Sequence, residues 1–152
     1  MIQVRRLQPV DLDYIFQNAE SLGFHQNTMI NKLENIMLVI EDNNICGIGL
    51  YINYEDKCIL NRIYIKEDQR RKRLGTILVK TILNTVEHQG ALQAYMHGSC
   101  DEFAEYLGFQ KLSDSNQIID TKMLYQEIFN DNISDNIFKV SLIDYFKPCS
   151  HQ

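Results

Sequence analysis

The segment from Asn61 to Val86, NRIYIKEDQRRKRLGTILVKTILNTV, sets the strongest constraint on what this chain can fold into. Arg62-Ile63-Tyr64-Ile65 is a β-branched and aromatic run with the character of a buried strand. A charged loop follows, Lys66-Glu67-Asp68-Gln69, and then Arg70-Arg71-Lys72-Arg73-Leu74-Gly75-Thr76. From Leu74 the period changes. Leu74, Ile77, Leu78, Thr81, Ile82 and Thr85 recur at spacings of three and four, which predicts one face of a helix. The segment reads as strand, tight basic turn, helix.

That order has a chemical use. The first turn of a helix leaves backbone N–H groups without partners, and the macrodipole adds partial positive charge there. A phosphate accepts such bonds readily. Gly75 has no Cβ, so the backbone can approach a ligand closely, and Arg70, Arg71, Lys72 and Arg73 crowd positive charge around the turn. A diphosphate is the ligand these features suit.

These residues carry a resemblance. IYIKEDQRRKRLGTILVK resembles the acyl-CoA signature of the GNAT superfamily of N-acetyltransferases, in which a strand and short loop lead to Arg/Gln-x-x-Gly-x-Gly/Ala at a helix start. Arg70 takes the first position, Gly75 the last, and Arg73 replaces the middle glycine. A guanidinium at that position can lie on a phosphate while the backbone keeps its shape. FAEYLGF, Phe103 to Phe109, resembles the family's aromatic-rich helix end followed by Gly-Phe. The resemblance covers about residues 1–126.

Composition sets outer bounds. The 152 residues suit one domain with a sizeable core, and 45% hydrophobic with 23% charged residues describes an ordinary soluble protein. A net charge of −5 argues against a general nucleic-acid binder. No apolar run approaches the roughly 20 residues that span a membrane, and MIQVRRLQPVD lacks the apolar core of a signal peptide. Cys46, Cys58, Cys100 and Cys149 form no CxxC pair and read as reduced thiols, so a cytoplasmic location is expected. His97 and Cys100 are too few for zinc, and no metal site is expected.

Taken in order, Ile2 to Leu7 alternates as a strand. Pro9 and Asp11 mark a helix start with Asp11 as N-cap, and Leu12, Ile15, Phe16, Ala19 and Leu22 form its apolar stripe up to Gly23. Phe24 to Asn35 predicts a second short helix. Ile36–Ile40, Ile45–Asn53 and Cys58–Ile65 predict an antiparallel meander, in which Gly47 and Gly49 weaken the middle strand. After the helix, Gly90 is a stop and Ala91–Met96 a strand buried on both faces. Cys100–Leu107 predicts a short helix ended by Gly108, and Phe109–Leu112 a strand. Asp114-Ser115-Asn116 reads as a turn, with Ile118–Gln126 returning as the last strand. The expected fold is therefore α/β (α+β): a mixed, mostly antiparallel central sheet flanked by helices, with domain 1–126 and a C-terminal extension, 127–152. The extension is too apolar for a disordered tail, and periodicity leaves strand and helix both open for it. Ile137 to Phe146 is expected to cover an open sheet edge, in cis or across a homodimer, with Pro148 ending the segment.

The resemblance implies an acetyl-CoA co-substrate and direct acetyl transfer to a primary amine, on a small molecule or a peptide. It places the pantetheine arm on the backbone of Ile63, Tyr64 and Ile65. The pyrophosphate falls to the turn Arg70, Arg71, Lys72, Arg73, Leu74, Gly75 and Thr76. The catalytic candidates are Tyr106, His97 and Asn61. Asn61 stands near the family's frequent glutamate, and Ala104 stands where the family's tyrosine acid belongs, which leaves Tyr106 as a displaced candidate. His97, with an ordinary pKa near ~6.5, can relay a proton. The missing carboxylate and tyrosine keep a CoA-binding sensor or interaction module without turnover as the rival. A nucleotide- or nucleic-acid-binding domain is the weaker alternative, since no Walker GK[ST] sequence is present.

Overall fold

The computed structural model describes residues 1–22, 35–70, 73–99 and 101–147. The second helix expected over Phe24–Asn35, the stop at Gly23, Arg71, Lys72, Cys100, Pro148 and Cys149 lie outside the described residues, save Asn35. The chain opens with β1 (Ile2–Arg6), a short 3-10 turn at Pro9–Asp11 and α1 (Leu12–Gln17). The meander follows as β2 (Ile36–Glu41), β3 (Asn44–Tyr54) and β4 (Lys57–Ile65). Then come α2 (Leu74–His88), β5 (Gln93–His97), α3 (Asp101–Tyr106), β6 (Gln110–Lys111), α4 (Ser115–Phe129) and β7 (Ile137–Ser141). The seven strands form one mixed sheet in the order β1-β2-β3-β4-β5-β7-β6. Among the described residues only β4 and β5 pair parallel, and the other neighbours are antiparallel.

Period-two alternation gives the sheet two apolar faces. In β2, Ile36, Leu38 and Ile40 pack with Ile15 of α1 and with Tyr125 and Phe129 of α4. Met37 and Val39 face the other way, toward Leu78, Ile82 and Leu83 of α2 and Ala104 of α3. The sheet is thus the middle layer of three, with both core clusters anchored on it.

Three expectations change. Ile118–Gln126 is no strand but the body of α4, with Thr121, Tyr125 and Phe129 buried one turn apart. Asp114, read as part of a turn, is the N-cap of this helix and accepts from Asn116 N at 2.8 Å and Gln117 N at 3.1 Å. The same short polar side chains serve turns and N-caps, so the local signal was shared. Asp11 precedes α1 but makes no cap bond to it. Instead its carboxylate accepts from Gln8 N at 2.7 Å and from both Arg5 Nη atoms at 2.7 and 2.9 Å. Finally, β7 covers the edge of β5 in cis, but as an interior strand and not as an outer cover. It stands inside the sheet, paired with β5 on one side and β6 on the other, so the boundary expected at residue 126 falls within α4.

Candidate active site

The sheet splits where β4 and β5 part. Their parallel ladder holds only Lys57↔Gln93, Cys58↔Ala94 and Ile59↔Tyr95, while β4 runs on to Ile65 and β5 to His97. On its other side β4 pairs with β3 through Gly47↔Ile65, with a register shift that opposes Tyr51 to Leu60 and Leu50 to Arg62. Asn61 is the residue skipped by that shift, and it is a bulge that turns its own groups toward β5.

Two side chains take up the backbone past the split. Tyr125 Oη donates to Leu60 O at 2.6 Å. His97 Nε2 lies 2.9 Å from Asn61 O and 3.2 Å from Asn61 Oδ1. Carbonyl oxygens only accept, so the neutral imidazole carries its hydrogen on Nε2 and leaves Nδ1 as the basic nitrogen. The ring edges meet Tyr125 at 4.9 Å between centroids. Burial pushes the His97 pKa below its ordinary value, against the bond to Asn61 and the nearby Asp131 carboxylate, while Arg62 lowers it further. Burial raises the Tyr125 pKa well above the ordinary phenol, so its hydroxyl remains a neutral donor.

A groove of about 670 Å³ opens beyond the split, lined by Ile63, Tyr64, Ile65, Arg70, Arg73, Leu74, Gly75, Thr76, Gly98, Ser99 and Phe103. Every described residue expected to hold a cofactor is therefore on one surface. Gly98, Ser99 and Phe103 were not foreseen. Gly98, at φ 70° directly after β5, is the one signal the sequence offered, since glycine tolerates that left-handed turn. Gly75 sits in the first turn of α2, where an added Cβ would lie 3.4 Å from Phe103 Cζ and 3.8 Å from Ile65 Cγ1. A methyl there would sit in ordinary van der Waals contact, so the glycine leaves a space about one methyl deep in the groove floor.

Arg73 caps α2 with φ 59° and ψ 23°, the left-handed conformation that glycine adopts without cost. That explains physically why a glycine suits this position and why the arginine is unusual there. Arg70 stands 5.4 Å from the Tyr64 ring centre and its Nε donates to Ile65 O at 2.9 Å. Asn61 and His97 meet at the split without lining the groove. Tyr106 is not brought to the groove. It ends α3 on the outside, 62% exposed, whereas Ala104 is buried and Phe103 lines the site.

Among the described residues, no group of three or more His, Cys, Asp or Glu is placed to hold a metal, and no helix is long and apolar enough to cross a membrane. The fold is that of several solved N-acetyltransferases. N-acetylglutamate synthase from Neisseria gonorrhoeae, complexed with coenzyme A and N-acetyl-glutamate, aligns at TM-score 0.74 and 16% identity over 93% of this chain. That alignment covers 35% of the Neisseria chain, so the present chain spans about a third of its length. The ribosomal-protein-S18-alanine N-acetyltransferase from Escherichia coli aligns at TM-score 0.69 and 14% identity, over 100% of this chain and 99% of that one. The PaiA N-acetyltransferase from Thermoplasma acidophilum, in complex with coenzyme A, aligns at TM-score 0.61 and 15% identity, over 93% and 99% of the two chains. No curated protein matches the sequence. The profile of the acetyltransferase (GNAT) family matches residues 4–109, and the chain belongs to that family.

Proposed function

We propose that this protein binds acetyl-CoA in the groove between β4 and β5 and transfers the acetyl group directly to a primary amine. The observation that carries the reading is the convergence of a free strand edge, a helix N-terminus and two arginines on one groove. The residues fit such a ligand. The β4 edge beyond Ile59 has no strand partner on the β5 side, and Gly75 keeps a cradle that a side chain would fill against Phe103. The backbone of Ile63, Tyr64 and Ile65 would hold the pantetheine arm. Arg70, Arg73 and the first-turn amides from Leu74 to Thr76 would hold the pyrophosphate.

The bound thioester supplies an activated acetyl carbon. The chain must then take a proton from the acceptor, because a lysine-like ammonium has a pKa near ~10.4 and cannot attack until it is neutral. We assign that role to His97 Nδ1, with Asn61 as the residue that fixes the imidazole through its two oxygens. We give Tyr106 no catalytic part in this reading, since it is exposed at the end of α3 and does not line the groove. The net charge of −5 favours a cationic acceptor through steering.

A second reading, CoA binding without turnover, is favoured by the absence of a carboxylate at Asn61 and of a hydroxyl at buried Ala104. One pair of measurements separates the readings. Acetyl-CoA should raise the melting temperature by mass action, more than ATP or NAD does. Thiol release from acetyl-CoA should then rise with at least one amine in a panel of polyamines, amino acids and peptides. Stabilisation without release leaves only the binding module; equal stabilisation by all three nucleotides removes both.

A further inference from the structure

A second polar cavity, of about 400 Å³, lies on the α1 side of the sheet and shares no lining residue with the acyl-transfer groove. It is lined by groups from β1, the turn before α1, α1 itself, the β2–β3 hairpin and the end of β4. Tyr14, Ile40 and Ile45 in its wall belong to the α1 and α4 side of the core; of the groove's lining, Ile63, Ile65, Leu74 and Phe103 belong to the α2 side and only Tyr64 to the α1 and α4 side. β4 separates the two. Its last side chain, Ile65, lines the groove, and the next residue, Lys66, lines the second cavity.

The charges in this cavity do not cancel. Arg5 is matched by Asp11 in a two-point ion pair. Lys66 is not matched. It is half-buried, donates to the Tyr14 hydroxyl and lies 5.0 Å from the Tyr14 ring centre, with no carboxylate partner among the described residues. A half-buried ammonium without a counter-ion is a cost that an anion would remove. The Tyr14 oxygen, in accepting from Lys66, keeps its own hydrogen free to donate. Lys66 and Tyr14 therefore offer N–H and O–H donors side by side, and Asn43 and Asn44 add amides at the rim.

We propose that Lys66 and Tyr14 form a binding site for a small free oxyanion, phosphate or carboxylate in character, separate from the cofactor groove. It is not the far end of the acceptor site. Lys66 is five residues beyond Asn61 on an extended strand, about 16 Å at the strand rise. That is too far for the α-carboxylate of an amino acid whose amine reaches His97.

The test is thermal unfolding of the full chain titrated with inorganic phosphate against chloride of equal ionic strength, with and without saturating CoA. Phosphate should raise the melting temperature of the wild type in both series, because CoA fills only the groove. Arg70→Gln, which weakens any phosphate held in the groove, should still leave a phosphate shift that depends on Lys66. Lys66→Gln should weaken phosphate binding at least tenfold, and Tyr14→Phe, which preserves the ring, should weaken it by a smaller factor. A phosphate shift abolished by CoA or by Arg70→Gln, or one undiminished in Lys66→Gln and Tyr14→Phe, overturns the proposal. No phosphate-specific shift in the wild type overturns it as well. Failure of CoA itself to bind would tell against the groove reading alone, since the Lys66 dependence is still read in the series without CoA.

Discussion

Arg73 holds a backbone conformation that costs a residue with a side chain roughly 1–2 kcal/mol. Glycine at this position relieves the strain but removes a charge beside the proposed pyrophosphate. Arg73→Gly should therefore raise stability by about 1 kcal/mol in urea unfolding while weakening CoA binding. Arg73→Ala keeps the strain and loses the charge, so it should weaken binding without any stability gain. Tighter CoA binding in Arg73→Gly would show that the arginine contributes nothing to phosphate recognition. His97 makes a second claim at this scale. Because burial lowers its pKa, the base form is present at neutral pH, and kcat/KM should fall only below the ordinary histidine value of about 6.5. The sign for stability is the same: the unfolded chain binds the proton more readily, so stability falls as pH drops from about 6.5 through the lowered folded value. His97→Gln should cost on the order of 10²-fold in turnover with CoA affinity kept, and should erase that acid limb. A variant with normal turnover and an unchanged profile would remove His97 from the chemistry. The sequence names Asn61 and His97 separately but cannot show that a register shift in β4 turns one toward the other.

Elements whose pattern and length agree were legible, and those with mixed signals were not. The strand, basic turn and helix from β4 into α2 form in the expected order, but the helix is rotated from the stripe read in the spacing: Leu74, Leu78, Val79, Ile82, Leu83 and Val86 are buried, whereas Ile77 is exposed and Thr81 and Thr85 are only partly covered. Gly47 and Gly49 were read as weak points of β3, yet they are where its neighbours come closest. A Cβ at Gly47 would lie 2.4 Å from Ile65 Cδ1 and 2.9 Å from Tyr64 O, and one at Gly49 would lie 2.8 Å from Ile82 Cδ1. Their smallness lets the groove wall and α2 sit down on the sheet, a tertiary reason that no local window contains. Helix α4 was misread because Ile118, Ile119 and Thr121 are β-branched and favour strands locally, while its buried face holds only Thr121, Tyr125 and Phe129. With only three buried side chains, the helix has the Asp114 cap as a measurable part of its stability. Asp114→Ala should cost about 1 kcal/mol, read as a lower urea midpoint with an unchanged slope, and Asp114→Asn should restore most of it. Equal stability in all three proteins would show that packing alone starts the helix.

At the level of the whole molecule, the largest difference from the expected architecture is the place of the last strand. A returning strand was expected at Ile118–Gln126 and, after it, an extension packed on the domain or a dimer partner; α4 occupies the former stretch and β7 supplies the interior strand. The apolar residues that ruled out a disordered tail serve both cores at once: Ile137 packs on the α1 and α4 side, and Phe138, Val140 and Leu142 on the α2 and α3 side. Beyond β7, Tyr145 Oη donates to Leu107 O at 2.6 Å, which ties the segment to the end of α3. β5, the strand that carries His97, has β4 as a partner for only three residues and β7 for all five. The proposed base is thus held in place mainly by the C-terminal part of the chain. Truncation after Gln126 would remove the last turn of α4, including Phe129, and all of β7, leaving β5 exposed along one edge and β6 without any strand partner. We expect the shortened chain to be insoluble or to lose its cooperative unfolding transition, with no CoA-dependent rise in melting temperature. A milder change isolates the same dependence: Phe138→Ala in the full chain empties a buried site on the α2 side and should cost about 3–5 kcal/mol. A soluble, monomeric truncation with a cooperative melt and intact CoA binding would show that the site is built without β7 and that 127–152 is a true appendage.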